Sequence, residues 1–300
     1  PGTDRIRHRR HVLLAVMNPL ELFQDFTYSQ ALWGTVLIGA CAGALGPLVY
    51  VRRTSLLADA ISHSSLPGLL VAFIVATALG WDGRNIWLLS AGAILTGTLA
   101  VGCIHLIPRL APLGSTTAMA ATLTTFFSIG MLLMQHISRQ PLPGKAGIQD
   151  YLLGNASTLT RADVSSALVI GGGVLLILSS VHTRQATVAF DAPFARVAGI
   201  RTTALNALSF LSLTAVTVIG VKVVGVVLMV AVVISPAAAA RPWVHRLLPF
   251  IALAGFLGAL TAAVGCYLSI AFGPLPTGPI IVLVQAATVA FSLVTRKLRP

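Results

Sequence analysis

Arg52-Arg53-Thr54-Ser55-Leu56-Leu57-Ala58-Asp59-Ala60-Ile61-Ser62-His63-Ser64-Ser65-Leu66-Pro67-Gly68-Leu69-Leu70 opens an apolar segment that runs to about Leu79, and it places a carboxylate and an imidazole inside it. Residues four apart share one helix face, one turn above the other, so an oxygen of Asp59 and a ring nitrogen of His63 can point at a single ion. That is half of a metal site. Ionisable side chains inside a membrane helix are costly, face a bundle interior or a wet cavity, and mark ion pathways. Asp59 is the only carboxylate well inside an apolar run; Asp4, Glu21, Asp25, Asp82, Asp150, Asp163 and Asp191 fall in tails, in loops or at span ends. The competing reading of the pair is a structural contact, made with each other or with a neighbouring helix.

Composition extends that reading to the whole chain. Of 300 residues 56% are hydrophobic and only 9% charged, far from the roughly 25% charged content of a soluble domain. The chain is therefore an all-α polytopic membrane protein. Its basic excess, 20 Lys and Arg against 8 Asp and Glu, sits between apolar runs, where cytoplasmic loops collect positive charge, so it indicates orientation in a lipid bilayer and not a nucleic-acid partner. Cys41, Cys103 and Cys266 each lie in an apolar run without C-x-x-C spacing, so neither a disulfide framework nor a zinc cluster is indicated.

Windows of about 20 apolar residues mark the spans: 31–50, 56–79, 86–107, 115–136, 163–181, 203–221, 223–240, 247–272 and 279–294. That makes nine, or eight if the runs parted only by Lys222 form one broken helix. Nine spans gather Arg52, Arg53, Arg109, Arg184, Arg196, Arg201, Arg241, Arg246, Arg296, Lys297 and Arg299 on one side, which is thereby cytoplasmic. Arg84, Arg139, Lys145, Arg161 and Lys222 fall on the other. Residues 1–16, with Arg5, Arg7, Arg9 and Arg10, would stand outside against that rule; they are expected to be an upstream or non-native extension ahead of a natural start at Met17, leaving 17–300 as one transmembrane domain.

Counted from Arg52 and Arg53, Asp59 lies roughly 10 Å into the membrane and His63 about 6 Å deeper, near the middle of a hydrocarbon core about 30 Å thick. Pro67 has no N–H for the carbonyl of His63, which predicts a helix kink beside the pair. One chain offers two ligands where zinc takes about four and manganese up to about six. A two-fold homodimer would double the set.

R-R-x-S-L-x-x-D-A-I-S-H-x-x-L-P-G, from Arg52 to Gly68, resembles the second-helix signature of the membrane permeases of bacterial ABC importers for zinc, manganese and iron. The similarity continues through Phe190 to Gly199 (a cytoplasmic coupling loop), Val224 to Val230 with Ser235 to Ala238, and Leu275-Pro276-Thr277-Gly278-Pro279 ahead of the last span. Four such matches in order cover nearly the whole chain from Met17. The resemblance implies a type II ABC importer-like bundle in the bacterial inner membrane. It also implies a permease dimer or a closely related second permease, two cytoplasmic ATPase subunits that use ATP, and an extracytoplasmic metal-binding protein. The transported ion is a divalent metal (zinc, manganese or iron), with no permanently bound cofactor. Metal ligands then fall on Asp59 and His63, and ATPase coupling on Asp191, Pro193, Phe194, Ala195 and Gly199. Ala192 and Pro193 stand where the family commonly has Pro and Glu, so an acidic contact with the ATPase is not carried over.

The residues themselves agree with a coupling role for about 182–202: the stretch is polar and cytoplasmic by the charge count, with Asp191 and Pro193 able to start a short helix and Gly199 able to end it. No G-x-x-x-x-G-K-[ST] run occurs, so the chain is expected to be a transport subunit and not itself an enzyme. The alternative is a proton-coupled secondary metal transporter. It needs the same intramembrane Asp and His, but usually more acidic residues along the path and an internal repeat, which this sequence lacks.

Overall fold

A computed structural model describes residues 26–52, 55–83, 85–145, 148, 150–272 and 275–297. The extension expected at 1–16 and the start expected at Met17 lie outside the described residues. Among the described residues eight helices are long and apolar enough to cross a membrane. They are α1 (Phe26–Val51), α2 (Ser55–Ala78), α3 (Ile86–Leu110), α4 (Ser115–Arg139), α6 (Arg161–Phe190), α8 (Thr202–Val224), α10 (Leu247–Ala271) and α11 (Thr277–Lys297). The described residues also form three shorter α-helices, α5 (Asp150–Leu153), α7 (Ala192–Val197) and α9 (Met229–Ala240), and a 3-10 turn at Ala156–Thr158.

Burial sorts the helices into layers. α1, α2 and α8 are covered over most of their length and form the interior, whereas α3, α4, α6, α10 and α11 present much of their surface outward. α1 packs on α10 through small residues, as its glycine face predicts: a Cβ on Gly39 would stand 2.5 Å from the Gly258 carbonyl oxygen, and one on Gly43 2.5 Å from that of Ala254. Only backbones this close leave no room for a methyl group. Trp33, Trp81, Trp87 and Trp243 are exposed, as interfacial anchors would be.

The runs around Lys222 are neither two full spans nor one helix. α8 is a complete span ending at Val224; Gly225, at φ +90°, turns the chain in a conformation that disfavours a side chain. α9 then returns along α1, with the Val233 carbonyl against Gly46. Its 12 residues cover about 18 Å, short of a hydrocarbon core. The fifth span is likewise longer than its apolar run, because α6 continues to Phe190 with Gln185 and Val188 buried. Of the stretch expected as a coupling loop at about 182–202, residues 182–190 belong to α6 and 192–197 to α7, and the connection between the long helices narrows to 191–201.

Both ends of the bundle are tied by polar contacts. At one end Arg52 Nη2 donates to Gln185 Oε1 (3.2 Å), which also accepts from Ser209 Oγ (3.0 Å), and burial lowers the pKa of the Arg52 guanidinium from its ordinary value. At the opposite end the Val226 N–H donates to the Tyr151 carbonyl (2.9 Å) and the Asn155 N–H to that of Lys222 (3.1 Å). There the Ala156 N–H also donates to Thr277 Oγ1 (3.1 Å).

Candidate metal-ion site

α2 runs unbroken through Pro67 and carries both predicted ligands on one face. His63 Nε2 lies 3.4 Å from Asp59 Oδ1, with the His63 side chain 11% and the Asp59 side chain 27% exposed. At 3.4 Å the contact is loose for a hydrogen bond, and the two donor atoms converge without being locked together. The Phe127 ring of α4 packs edge-to-face with the His63 imidazole, their centroids 4.5 Å apart at 82°. Pro67 and Leu66 pack against Gly130, one turn further along α4.

The pair has few competitors for its lone pairs. His63 Nδ1 is buried with no hydrogen-bond partner, as is Ser64 Oγ. Ser62 and Ser65 are spent on their own helix, donating to the carbonyls of Ala58 (2.9 Å) and Ser62 (2.7 Å). A metal bound at Nε2 needs a neutral ring with its proton on Nδ1. Such a site offers one hard oxygen and one borderline nitrogen, a set that suits zinc, manganese and iron alike. Among the described residues no group of three His, Cys, Asp or Glu side chains comes together. Asp59 and His63 thus stand as a pair of candidate ligands without a third beside them among the described residues.

The residues expected to couple to an ATPase form a small capped helix. Asp191 Oδ1 accepts from the Phe194 N–H (2.9 Å) and Pro193 occupies the first turn. After α7 the chain reverses at Gly199 (φ +75°), the Ile200 N–H donating to the Ala195 carbonyl (2.9 Å). Ala195 is fully buried in a cluster with Val188 of α6 and Leu205 of α8. Phe194 and Val197 project outward, 59% and 89% exposed. His105 bonds the Val101 carbonyl of its own helix, and His136 is exposed in the last turn of α4.

The sequence profile of the ABC 3 transport family matches residues 24–296. This chain belongs to that family. Among relatives in the ABC 3 group, the manganese transport system membrane protein MntC of Bacillus subtilis is 37% identical over 264 residues, 87% of this chain and 59% of that protein. The zinc transport system membrane protein TroC of Treponema pallidum is 32% identical over 276 residues, 91% and 90% of the two chains. PsaBC from Streptococcus pneumoniae, solved in complex with Fab, superposes with a TM-score of 0.81 at 29% identity, covering 91% of this chain and 92% of that one. The ABC permease bundle implied by the sequence is the fold observed.

Two features of this ABC 3 chain escaped the sequence reading. Lys222, expected to mark an outer turn, is ion-paired with Asp163 of α6 (2.5 Å). Thr160-x-x-Asp163 is a legible capping box, and a lysine in an apolar run asks for a counter-ion, so both halves were readable. The Gln185 network with Arg52 and Ser209 had no such signal.

Proposed function

We propose that this chain is the permease subunit of an ABC importer that passes a divalent transition-metal ion (manganese, zinc or iron) into the bacterial cytoplasm. Separate ATPase subunits power it. The observation that carries this reading is the Asp59 and His63 pair, whose ligand atoms converge 3.4 Å apart inside the helix bundle. Membership of the ABC 3 transport family supports an ATP-driven importer over a proton-coupled carrier, and manganese and zinc appear in the names of relatives matched along nearly the whole chain.

The half-site supports a two-fold arrangement in which two copies, or this chain and a related permease, contribute two carboxylates and two imidazoles to one ion. α7 is the element on which an ATPase subunit docks. Because Ala195 is wedged between α6 and α8, a push on Phe194 and Val197 moves those two helices together. An extracytoplasmic binding protein delivers the ion at the opposite face.

The test is ATP-dependent uptake of manganese, zinc and iron into proteoliposomes holding this chain and its ATPase, with Asp59→Ala and His63→Ala compared to wild type. Uptake of one ion, lost in both variants while ATPase docking persists, is the expected result. Unchanged uptake in both returns the pair to a structural role and overturns the assignment.

A further inference from the structure

A cavity of about 560 Å³ opens at the outer end of the bundle. Its floor includes Leu69 and Phe73 of α2, which lie about 9 Å and 15 Å along that helix from His63. It lies on the same helix as the intramembrane pair, two to three turns further along α2. Asp163, Lys222 and a second carboxylate, Asp82, stand on its wall, together with the oxygen-bearing side chains of Thr158, Thr160 and Asn85.

The wall holds a carboxylate that already has a cation on it. Asp163 is 5% exposed. Its Oδ2 accepts from the Thr160 N–H (2.6 Å), from Thr160 Oγ1 (2.7 Å) and from Lys222 Nζ (2.5 Å). The Thr160 contacts hold that same oxygen as part of the α6 cap, so the carboxylate keeps its place whichever cation faces it. The Lys222 ammonium is on the contrary a compact charge on a flexible stem, at the last turn of α8 and beside an open chamber into which it can swing.

We infer that Asp163 is a second, transient cation ligand on the outer path, and that the Lys222 ammonium is a built-in stand-in that a divalent metal ion displaces on its way to Asp59 and His63. The chemistry favours exchange over permanent binding. A divalent ion outbids a single ammonium for one carboxylate when oxygen donors complete its shell, and the threonine and asparagine oxygens on the same wall are such donors. When the ion moves on, the lysine returns and the buried carboxylate is never left uncompensated. Lys222 thereby keeps the chamber from trapping the ion it admits. The passage toward Asp59 and His63 rests on the proposed importer function; binding at Asp163 does not.

The experiment measures Mn²⁺ binding by electron paramagnetic resonance to the full chain in lipid nanodiscs, in an Asp59→Ala/His63→Ala background that removes the intramembrane ligands. Lys222→Met and Lys222→Gln each vacate the ammonium position, the second keeping a hydrogen-bond donor so that the carboxylate stays satisfied and the chain folded. Either variant is expected to bind one added Mn²⁺ per chain, at least tenfold more tightly than the parent, and adding Asp163→Asn is expected to abolish it. No gain in either variant, or a gain that survives Asp163→Asn, overturns the inference. A second arm keeps the lysine and the intramembrane pair. Asp163→Asn is expected to slow Mn²⁺ uptake about tenfold at low metal while leaving the saturated rate unchanged; equal losses at both concentrations would make Asp163 a structural residue. Loss of all uptake in wild type, with the binding result intact, would count against the importer reading alone.

Discussion

α3 carries two glycines whose replacement by alanine should have opposite effects. A Cβ on Gly92 would stand 2.5 Å from the Gly68 carbonyl oxygen of α2 and 2.7 Å from Ala72 Cβ, whereas one on Gly102 meets nothing within 4 Å. The first distance is about 0.9 Å short of the 3.4 Å at which ordinary contact begins, and its partner is backbone that cannot rotate aside, so α2 and α3 must part. Overpacking of this kind costs about 1–3 kcal/mol. At Gly102 the methyl group is unopposed and removing a helical glycine gains about 0.5–1 kcal/mol. The two variants should thus differ by roughly 2–4 kcal/mol, on the order of 10 °C in melting temperature for a chain of this size. Thermal unfolding of each purified variant in detergent, followed by tryptophan fluorescence, measures the gap. Because Gly68 follows His63 by little more than one turn, Gly92→Ala should also weaken metal uptake while Gly102→Ala leaves it alone. A Gly92→Ala variant as stable as Gly102→Ala would refute the close approach of α2 and α3.

Three other outcomes are expected. Val197→Asp and Phe194→Ala, both at exposed positions of α7, should reduce co-purification of the ATPase subunit at least tenfold with unchanged melting temperature; undiminished co-purification would move the docking surface elsewhere. Asp191→Ala removes the cap of α7 and should cost about 1 kcal/mol locally, seen as faster amide exchange over 192–197 and refuted by unaltered exchange. Gln285 is 1% exposed and both its amide atoms lack partners. Gln285→Leu should therefore stabilise the chain by about 1–3 kcal/mol, and a lower melting temperature would show that the amide is satisfied in the folded protein.

Fold class, membrane character and the face shared by Asp59 and His63 were legible in the sequence because each depends on local quantities: apolar length, charge between runs, and helical spacing. The start and stop of α7 were legible for the same reason, since Asp191, Pro193 and Gly199 act on their own backbone. Span boundaries were less so. α6 outruns its apolar stretch because Gln185 finds Arg52 and Ser209 on other helices, and α9 is short because Gly225 folds it back onto α1, facts that no window of hydropathy contains. Only the tertiary structure joined Asp163 to Lys222 across 59 positions of chain and set that pair on the wall of the outer chamber. Sequence fixes what a residue can do within a turn or two of itself; which distant charge it meets is decided by how the helices pack, because a buried charge stays only where packing brings it a partner.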